Sequence, residues 1–394
     1  MVRKGAARIN RPRSAFRLRS AAETGMRAKR VVGRKVRYAV VGGGWISQAA
    51  FMPGVAQTGN SEMTAIVTGD PQKADALAKT YGLTAFTYDR YKEALASDLF
   101  DAVYLALPNG MHRDYAVPAL EAGCHVLLEK PMAVSVAECE AINAAAKASG
   151  AKLMLAYRLH FEPGTLDAIA RVRAGAIGEP RMFTATFGQT VSAGNHRAKQ
   201  GFWAGPVPDM GTYPINAARN LFGEEPVEVS ALGSRRPDSP YAFDGTVAVT
   251  LRFPSGRLAQ FTISYETEGV DAYRITGTEG DLHMQPGFLF GTGLEAALTR
   301  GGETERLTYP SVNQFGGQTR YFSECILNDR APEPDGEEGL CDLRVLEAVE
   351  RALATGRTQS LDPMSRSRRP EPSQATDLPA VEPPEMVNAA RPDA

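Results

Sequence analysis

A parallel β-sheet covered on both faces by helices, followed by a larger and mainly antiparallel sheet, is the α/β architecture this sequence predicts. Three observations carry that prediction. Short apolar runs alternate with helical patterns between residues 36 and 158, as successive βαβ units require. A glycine-rich turn, Gly42-Gly43-Gly44, closes the first run and precedes a helical pattern. Beyond residue 160 the alternation stops and strand-like runs follow one another. A chain of 394 residues also suits two cores better than one.

The elements of the first half read in order. Val36–Val41 is a β-prone run ending at the glycines, and an apolar-periodic helix covers 45–56. A second strand spans 62–67. Pro71 suits the first turn of a helix over 72–81. A strand at 101–106 runs into Pro108-Asn109, and a helix over 111–122 has Gly123 in the position of its C-terminal cap. His125–Leu128 is a fully apolar strand but for its first residue. Ser135, with Glu138 three residues later, opens an Ala-rich helix that runs to Ser149, and 152–156 is the last strand. Continuous apolar strands of this kind are buried on both faces.

The second half carries a helix over 164–174, then strands near 181–188, 226–233, 243–253, 257–264 and 271–276. Phe253-Pro-Ser-Gly-Arg257 is a hairpin turn between two of them. A helix over 212–222 interrupts, and helices over 314–328 and 339–354 close the fold. This predicts an α+β domain whose large open sheet has one face free for helices or a partner.

Composition narrows the function. Net charge is −1 and the pI about 6.6, so nothing draws the bulk protein to nucleic acid or a membrane. No apolar run approaches the roughly 20 residues that span a bilayer. Cys124, Cys139, Cys325 and Cys341 lack metal-site spacing and suit small buried positions in a reducing compartment; no metal is expected. Residues 1–35 are strongly basic and read as a disordered arm, with two rivals: an arm wrapping a neighbouring subunit, or an extension before a start at Met26. They lack an apolar signal core. Residues 361–394, rich in Pro, Ser, Arg and Glu, read as a disordered tail. The folded units are then 36–158 and 159–360.

The glycine loop has the spacing Gly42-x-Gly44-x-x-Ser47. Gly42 permits the tight turn, Gly44 lets backbone approach a pyrophosphate, and the small Ser47 allows close helix–strand packing. Gly43, Trp45 and Ile46 complete the loop and the helix start, where free N–H groups and the helix dipole favour phosphate. With its flanking strand and helix this is a Rossmann dinucleotide site. NAD sites usually place an acid after the second strand, to bond the ribose 2′-hydroxyl. Here that position holds neutral Thr68, then Gly69, with Lys73 a helical turn on, which suits a 2′-phosphate and so NADP in preference to NAD. Asp70 either bonds the ribose or caps the helix.

Glu129-Lys130-Pro131 ends the apolar strand 125–128. An ionisable pair there requires a use, because burying charge is costly, and the proline restricts the lysine's backbone. Lys130 is thereby a candidate group beside a nicotinamide. Leu107, Pro108, Asn109 and His112 lie at the end of the neighbouring strand, where contact with the nicotinamide ribose and helix capping are both open readings. Glu129 reads as structural or cofactor-orienting.

Taken together, Gly42-Gly43-Gly44, Leu107-Pro108-Asn109 with His112, Glu129-Lys130-Pro131 and Asp209-Met-Gly-Thr-Tyr213 resemble the glucose–fructose oxidoreductase/inositol dehydrogenase/MocA family over roughly residues 36–360. The second half is most similar to the glucose–fructose oxidoreductase branch, at Tyr157-Arg158-Leu-His160, Asn313-Gln314-Phe315 and Gly336-Glu337-Glu338-Gly339. The resemblance implies that Lys130 lies between nicotinamide and substrate, often with a cis Lys–Pro bond. It also implies an acid, Asp209, four residues before a proton-transfer residue, here Tyr213. Residues i and i+4 share a helical face. A free tyrosine, with pKa near 10, is a poor base at neutral pH, and a nearby ammonium favours its phenolate. Tyr213 is then expected to take a sugar hydroxyl proton, Lys130 to orient that hydroxyl, and Asp209 to hold a neighbouring one. Tyr157 and Arg158 are expected to contact substrate; His160 reads equally as a structural histidine, and Trp203 as a packed aromatic or a sugar platform. The prolines of Ala204-Gly205-Pro206-Val207-Pro208 replace a glycine run common in the family.

The expected function is NADP-dependent oxidation and reduction of an aldose, polyol or ketose, with tightly held cofactor. The rivals are a dehydrogenase that releases NAD(P) each turnover and a non-catalytic NADP-binding regulator. A cytoplasmic homodimer or homotetramer with a small-molecule sugar substrate, and with no nucleic-acid or membrane partner, completes the expectation.

Overall fold

The computed structural model describes residues 27–199, 201–389 and 391; the expected arm lies outside the described residues up to residue 26. Six parallel strands form the first sheet: β1 (Val36–Val41), β2 (Ser61–Val67), β3 (Thr84–Phe86), β4 (Ala102–Leu105), β5 (His125–Leu128) and β6 (Leu153–Leu155). Their order is β3-β2-β1-β4-β5-β6. The order reverses between β1 and β4, and a crevice opens there at the carboxyl ends of the strands. Helices α1 (Met52–Val55), α2 (Pro71–Tyr81), α3 (Tyr91–Ala96), α4 (His112–Glu121) and α5 (Val136–Ser149) connect them. Local sequence sets several boundaries. Asp70 caps α2 by accepting from the Lys73 N–H at 3.1 Å, and Ser135 accepts from the Glu138 N–H at 3.2 Å. Gly82 and Gly150 end those helices in the left-handed conformation.

The second sheet has nine strands, β7 (Pro180–Thr190), β8 (Glu228–Ser234), β9 (Thr246–Arg252), β10 (Leu258–Ser264), β11 (Glu266–Gly277), β12 (Gly280–Met284), β13 (Glu295–Arg300), β14 (Glu303–Thr308) and β15 (Gln359–Ser360). All neighbours are antiparallel except β7 and β10. Odd-numbered residues in the middle of β7 and along β10, including Phe183, Phe187, Phe261 and Ile263, are buried. Even-numbered Met182 and Leu258, directly paired, are exposed on the other face with Leu232. Helices α6 (Pro163–Arg173), α7 (Thr212–Phe222), α8 (Gln314–Leu327) and α9 (Gly336–Thr355) complete the molecule.

Strands β3 and β12 to β14 and helix α3 were not expected. β14, Glu-Thr-Glu-Arg-Leu-Thr, is exposed along nearly its whole length, so no apolar alternation marks it. The helix after the glycine loop holds a widened π turn over Ser47–Phe51. There Ser47 Oγ donates to the Gly42 carbonyl at 2.5 Å and Gln48 Nε2 to that of Gly43 at 2.9 Å.

The tail departs most from expectation. Rather than disordered, residues 361–389 lie along the body: Arg366, Gln374 and Thr376 are buried. Arg366 pairs with Asp335 and Glu338, both at 2.7 Å, and Arg369 with Glu225 at 2.7 Å. Polar composition predicts disorder only when the charges lack buried partners; here carboxylates already buried at the start of α9 supply them. The end of the basic segment is likewise placed. Arg34 grips Asp101 with two bonds of 2.5 and 2.7 Å, and the Lys29 N–H donates to the Gly123 carbonyl at 2.8 Å.

Candidate active site

A cavity of about 1000 Å³ opens where the carboxyl ends of β1, β4 and β5 meet the second sheet. Lys130, just beyond β5 and joined to Pro131 by a cis peptide bond, reaches into it. Its ammonium donates to the Asp209 main-chain oxygen at 2.6 Å and to Oδ1 at 3.4 Å, and lies 4.8 Å from the centre of the Tyr213 ring. An ammonium has three donors; two are used, leaving one for a substrate oxygen. Burial works against the Lys130 charge, but Tyr213, Asp209 and Glu129 outweigh it and its pKa is raised. Lys130 is a fixed cation here.

Asp209 sits in a π turn, Val207–Gly211, that runs directly into α7, with Tyr213 in the first turn of that helix. Both face the cavity, as the i, i+4 spacing predicts. Tyr265 Oη donates to Asp209 Oδ2 at 2.8 Å, and Arg197 Nε approaches the same oxygen at 3.2 Å. Burial opposes the carboxylate charge, yet Arg197, Lys130 and the Tyr265 hydroxyl hold its pKa down at about 2. Tyr213 is wedged between aromatic rings of Phe187 and Phe288. Glu129 also lines the cavity, accepting from Tyr104 Oη at 2.7 Å, and burial raises its pKa.

Arg158 lines the cavity as expected, with its guanidinium 4.8 Å from the Tyr213 ring centre. It donates to Gln314 Oε1 at 2.6 Å and to the carbonyls of Phe288 at 2.5 Å and Leu289 at 3.3 Å. Its work is to hold the 287–290 loop, which Asp271 clasps from the other side through the N–H groups of Gly287, Phe288 and Leu289.

Trp45, Ile46, Leu107, Pro108 and Asn109 line the same cavity, and Trp203, whose carbonyl accepts from Asn109 Nδ2 at 2.6 Å, forms part of its wall. Gly42 has φ +100°, and a side chain there would collide with the Ala106 carbonyl. Gly44 has open space where a side chain would be, and the buried Trp45 Nε1 has no partner. This glycine cradle at a helix start fits a dinucleotide pyrophosphate. On its far side Thr68, Gly43 and the Lys73 stem are neighbours, and the Tyr88 ring covers Gly69. Asp70 caps α2, the second of its two readings.

Two expected contacts, His112 and Tyr157, are buried away from the cavity, and His160 takes the structural one of its two readings. His112 is completely buried, its ring nitrogens 2.9 and 3.0 Å from the Pro131 and Leu107 carbonyls. It ties the ends of β4 and β5 together instead of facing a ribose. Tyr157 is buried behind Tyr213 and stacks on His160; it lies one layer too deep to touch substrate. His160 places both ring nitrogens against oxygens, Glu333 at 3.1 Å and Asn216 at 2.8 Å. Burial opposes protonation, but Glu333 and its neighbours outweigh it and raise the pKa, and the ring serves as a structural tie. Sequence reasoning missed Arg197, Tyr265 and Gln314 as site residues. Gln314 alone had a signal, in the Asn313-Gln314-Phe315 stretch.

Comparison with known proteins identifies the family of this fold. Residues 36–157 match the GFO/IDH/MocA profile described as an oxidoreductase family with an NAD-binding Rossmann fold, and residues 165–283 match the GFO/IDH/MocA C-terminal domain. D-xylose 1-dehydrogenase (NADP(+)) of Haloarcula marismortui is 32% identical over 336 residues, 83% of this chain and 93% of that protein. Aldose-aldose oxidoreductase from Caulobacter crescentus, solved with glycerol, superposes with a TM-score of 0.79 at 36% identity, over 83% of this chain and 100% of that one. A 3-ketoreductase from Actinomadura kijaniata, solved with NADP and TDP-benzene, gives a TM-score of 0.74 at 25% identity, over 81% and 98%.

Proposed function

The chain belongs to the GFO/IDH/MocA oxidoreductase family, and from that premise we propose that it is an NADP-dependent sugar oxidoreductase with Lys130, Asp209 and Tyr213 as its reacting constellation. One observation carries the reading: a buried ammonium, a carboxylate and a phenol converge on one cavity beside the glycine cradle. NADP bound there accepts a hydride from the sugar carbon or returns one. Tyr213 takes the hydroxyl proton as that hydride leaves, and gives it back to a carbonyl oxygen in the reverse direction. Lys130 holds the reacting oxygen with its spare N–H and stabilises its developing negative charge. Asp209, kept ionised by Arg197 and Lys130, accepts from a neighbouring sugar hydroxyl. Arg158 keeps the 287–290 wall in place.

Neutral Thr68 and the Lys73 stem beside Gly43 support NADP over NAD, as do the names of the relatives. A homodimer through the exposed face of the second sheet fits the uncovered Met182, Leu232 and Leu258. All four cysteines are buried and unpaired, which fits the reducing cytoplasm. Among the described residues, no helix is long and apolar enough to cross a membrane.

Aldoses, ketoses and polyols supplied with NADP or NAD, and assayed by reduced-nicotinamide absorbance, test the reading. Reduction of NADP by one or more aldoses, with weaker use of NAD, is the expected result. No sugar-dependent reduction of either cofactor would overturn it.

A further inference from the structure

The tail is more elaborately seated than a domain's end needs to be. Its root is fixed on α8 and the loop before it. The Thr376 N–H donates to the Phe161 carbonyl at 2.9 Å and the Asn313 N–H to that of Leu378 at 2.8 Å, while Val312 and Pro379 form a β-bridge. Two consecutive glycines in the first turn of α8 make the room. A side chain at Gly317 would run into Thr376 Cβ at 2.5 Å, and one at Gly316 into Leu378 at 3.0 Å.

From this root the chain crosses the cavity, where Ala380 to Pro383 form part of the wall. It then reaches the glycine loop. Val387 exchanges two hydrogen bonds with Gln48, its N–H donating at 2.7 Å and its carbonyl accepting at 2.9 Å. The same Gln48 amide donates to Gly43 of the cradle. Asn388, in the left-handed conformation that asparagine tolerates, bonds Asp70 at the end of β2. One segment thus touches the reacting cavity, the pyrophosphate cradle and the ribose end of β2, the length of a dinucleotide. The cavity keeps about 1000 Å³ with the segment in place, so the segment walls the groove without filling it. The Caulobacter enzyme is matched over its whole chain by 83% of this one; about a sixth of this chain has no counterpart there.

We propose that residues 376–389 are a latch over the dinucleotide groove, which NADP leaves only when Val387 and Asn388 release Gln48 and Asp70. The latch rests on the NADP reading above. It slows cofactor exchange, so that hydride taken from one sugar passes, with the proton held by Tyr213, to a second, carbonyl-bearing sugar whenever that sugar arrives before NADPH leaves.

The test uses the full chain and its full-length Val387→Pro/Asn388→Ala variant, each loaded with NADPH and chased with excess NADP while nicotinamide fluorescence is followed. The variant loses the Val387 N–H donor and the Asn388 side chain, both on the latch and far from Tyr213 in sequence. Release about tenfold faster or more is expected, since a tenfold change needs little more than one hydrogen bond's worth of binding. Equal release rates would overturn the latch and leave the NADP reading intact. Tighter NADPH binding by the variant would also overturn it, because the segment would then be a competitor for the groove. If neither protein binds NADPH, the cofactor reading falls and the latch with it.

Discussion

At the scale of single residues the site turns on one cation shared between a carboxylate and a phenol. Lys130 spends two donors on Asp209, so its placement depends on Asp209 as much as on the strand that carries it. Tyr213→Phe retains the ring among Phe187 and Phe288 and removes only the hydroxyl. Turnover should fall about 10²–10⁴-fold, the usual contribution of a positioned acid–base group, while NADPH affinity by fluorescence titration stays within about twofold. Unchanged turnover would remove Tyr213 from the chemistry. Lys130, Asp209 and Tyr213 were legible in sequence because each stands in a short motif with a fixed spacing. Arg197 and Tyr265 were not: they reach Asp209 from a loop and from the strand turn before β11, across 12 and 56 positions of chain, and no local pattern encodes such a meeting.

At the scale of elements, buried polar side chains fasten one piece of chain to another. His125, at the start of β5, accepts from the Lys152 N–H on Nδ1 at 3.0 Å, and its Nε2 faces the Lys29 carbonyl at 2.8 Å. It therefore joins residues 27–35, β5 and the start of β6 as a neutral ring, and burial lowers its pKa to about 4. A base whose folded pKa is depressed destabilises the fold on acidification: the unfolded chain binds the proton first, near 6.5. Stability should be complete above about pH 6.5 and fall by about 3 kcal/mol as pH drops through about 4. In urea unfolding at several pH values, His125→Gln should start less stable at neutral pH and lose less on acidification; an equal loss would place the effect elsewhere.

Arg219 fastens α7 to α9. Its guanidinium, completely buried, faces Glu225, Glu338 and Asp342, and the tail's Arg366 and Arg369 complete the cluster. Arg219→Met would strand these carboxylates and should cost about 3–5 kcal/mol, read from the urea midpoint. A loss under about 1 kcal/mol would mean that Arg366 and Arg369 suffice alone. The helices and their caps were legible from sequence, Asp70, Ser135, Gly82 and Gly150 in particular, because capping is decided within four residues. The partners of Arg219 on α9 and the seat of the tail were not, because Arg219 meets Glu338 and Asp342 across 119 and 123 positions of chain, and Arg369 meets Glu225 across 144.

At the scale of the whole molecule, the nine-stranded sheet leaves a strip of one face exposed, with apolar side chains standing on it. Met182 and Leu258 are paired neighbours on the solvent face of the nine-stranded sheet, with exposures of 50% and 46%, and Leu232 on β8 is 77% exposed. Exposed apolar side chains on a sheet face are a candidate surface for a second copy. Light scattering should give at least twice the 42.4 kDa chain mass, and Met182→Glu/Leu232→Glu should lower it to one chain. A monomeric wild type would assign the strip to another partner. By itself the sequence determined the two-sheet architecture, the glycine turn and the three motif side chains that line the cavity, because periodicity, turn chemistry and short motifs are local properties. Only the tertiary structure decided that Tyr157 and His112 lie behind the cavity wall, that Arg197 guards Asp209, and that the tail crosses the dinucleotide groove. Those outcomes depend on depth below a surface and on charges meeting across long stretches of chain, and neither exists until the chain has folded.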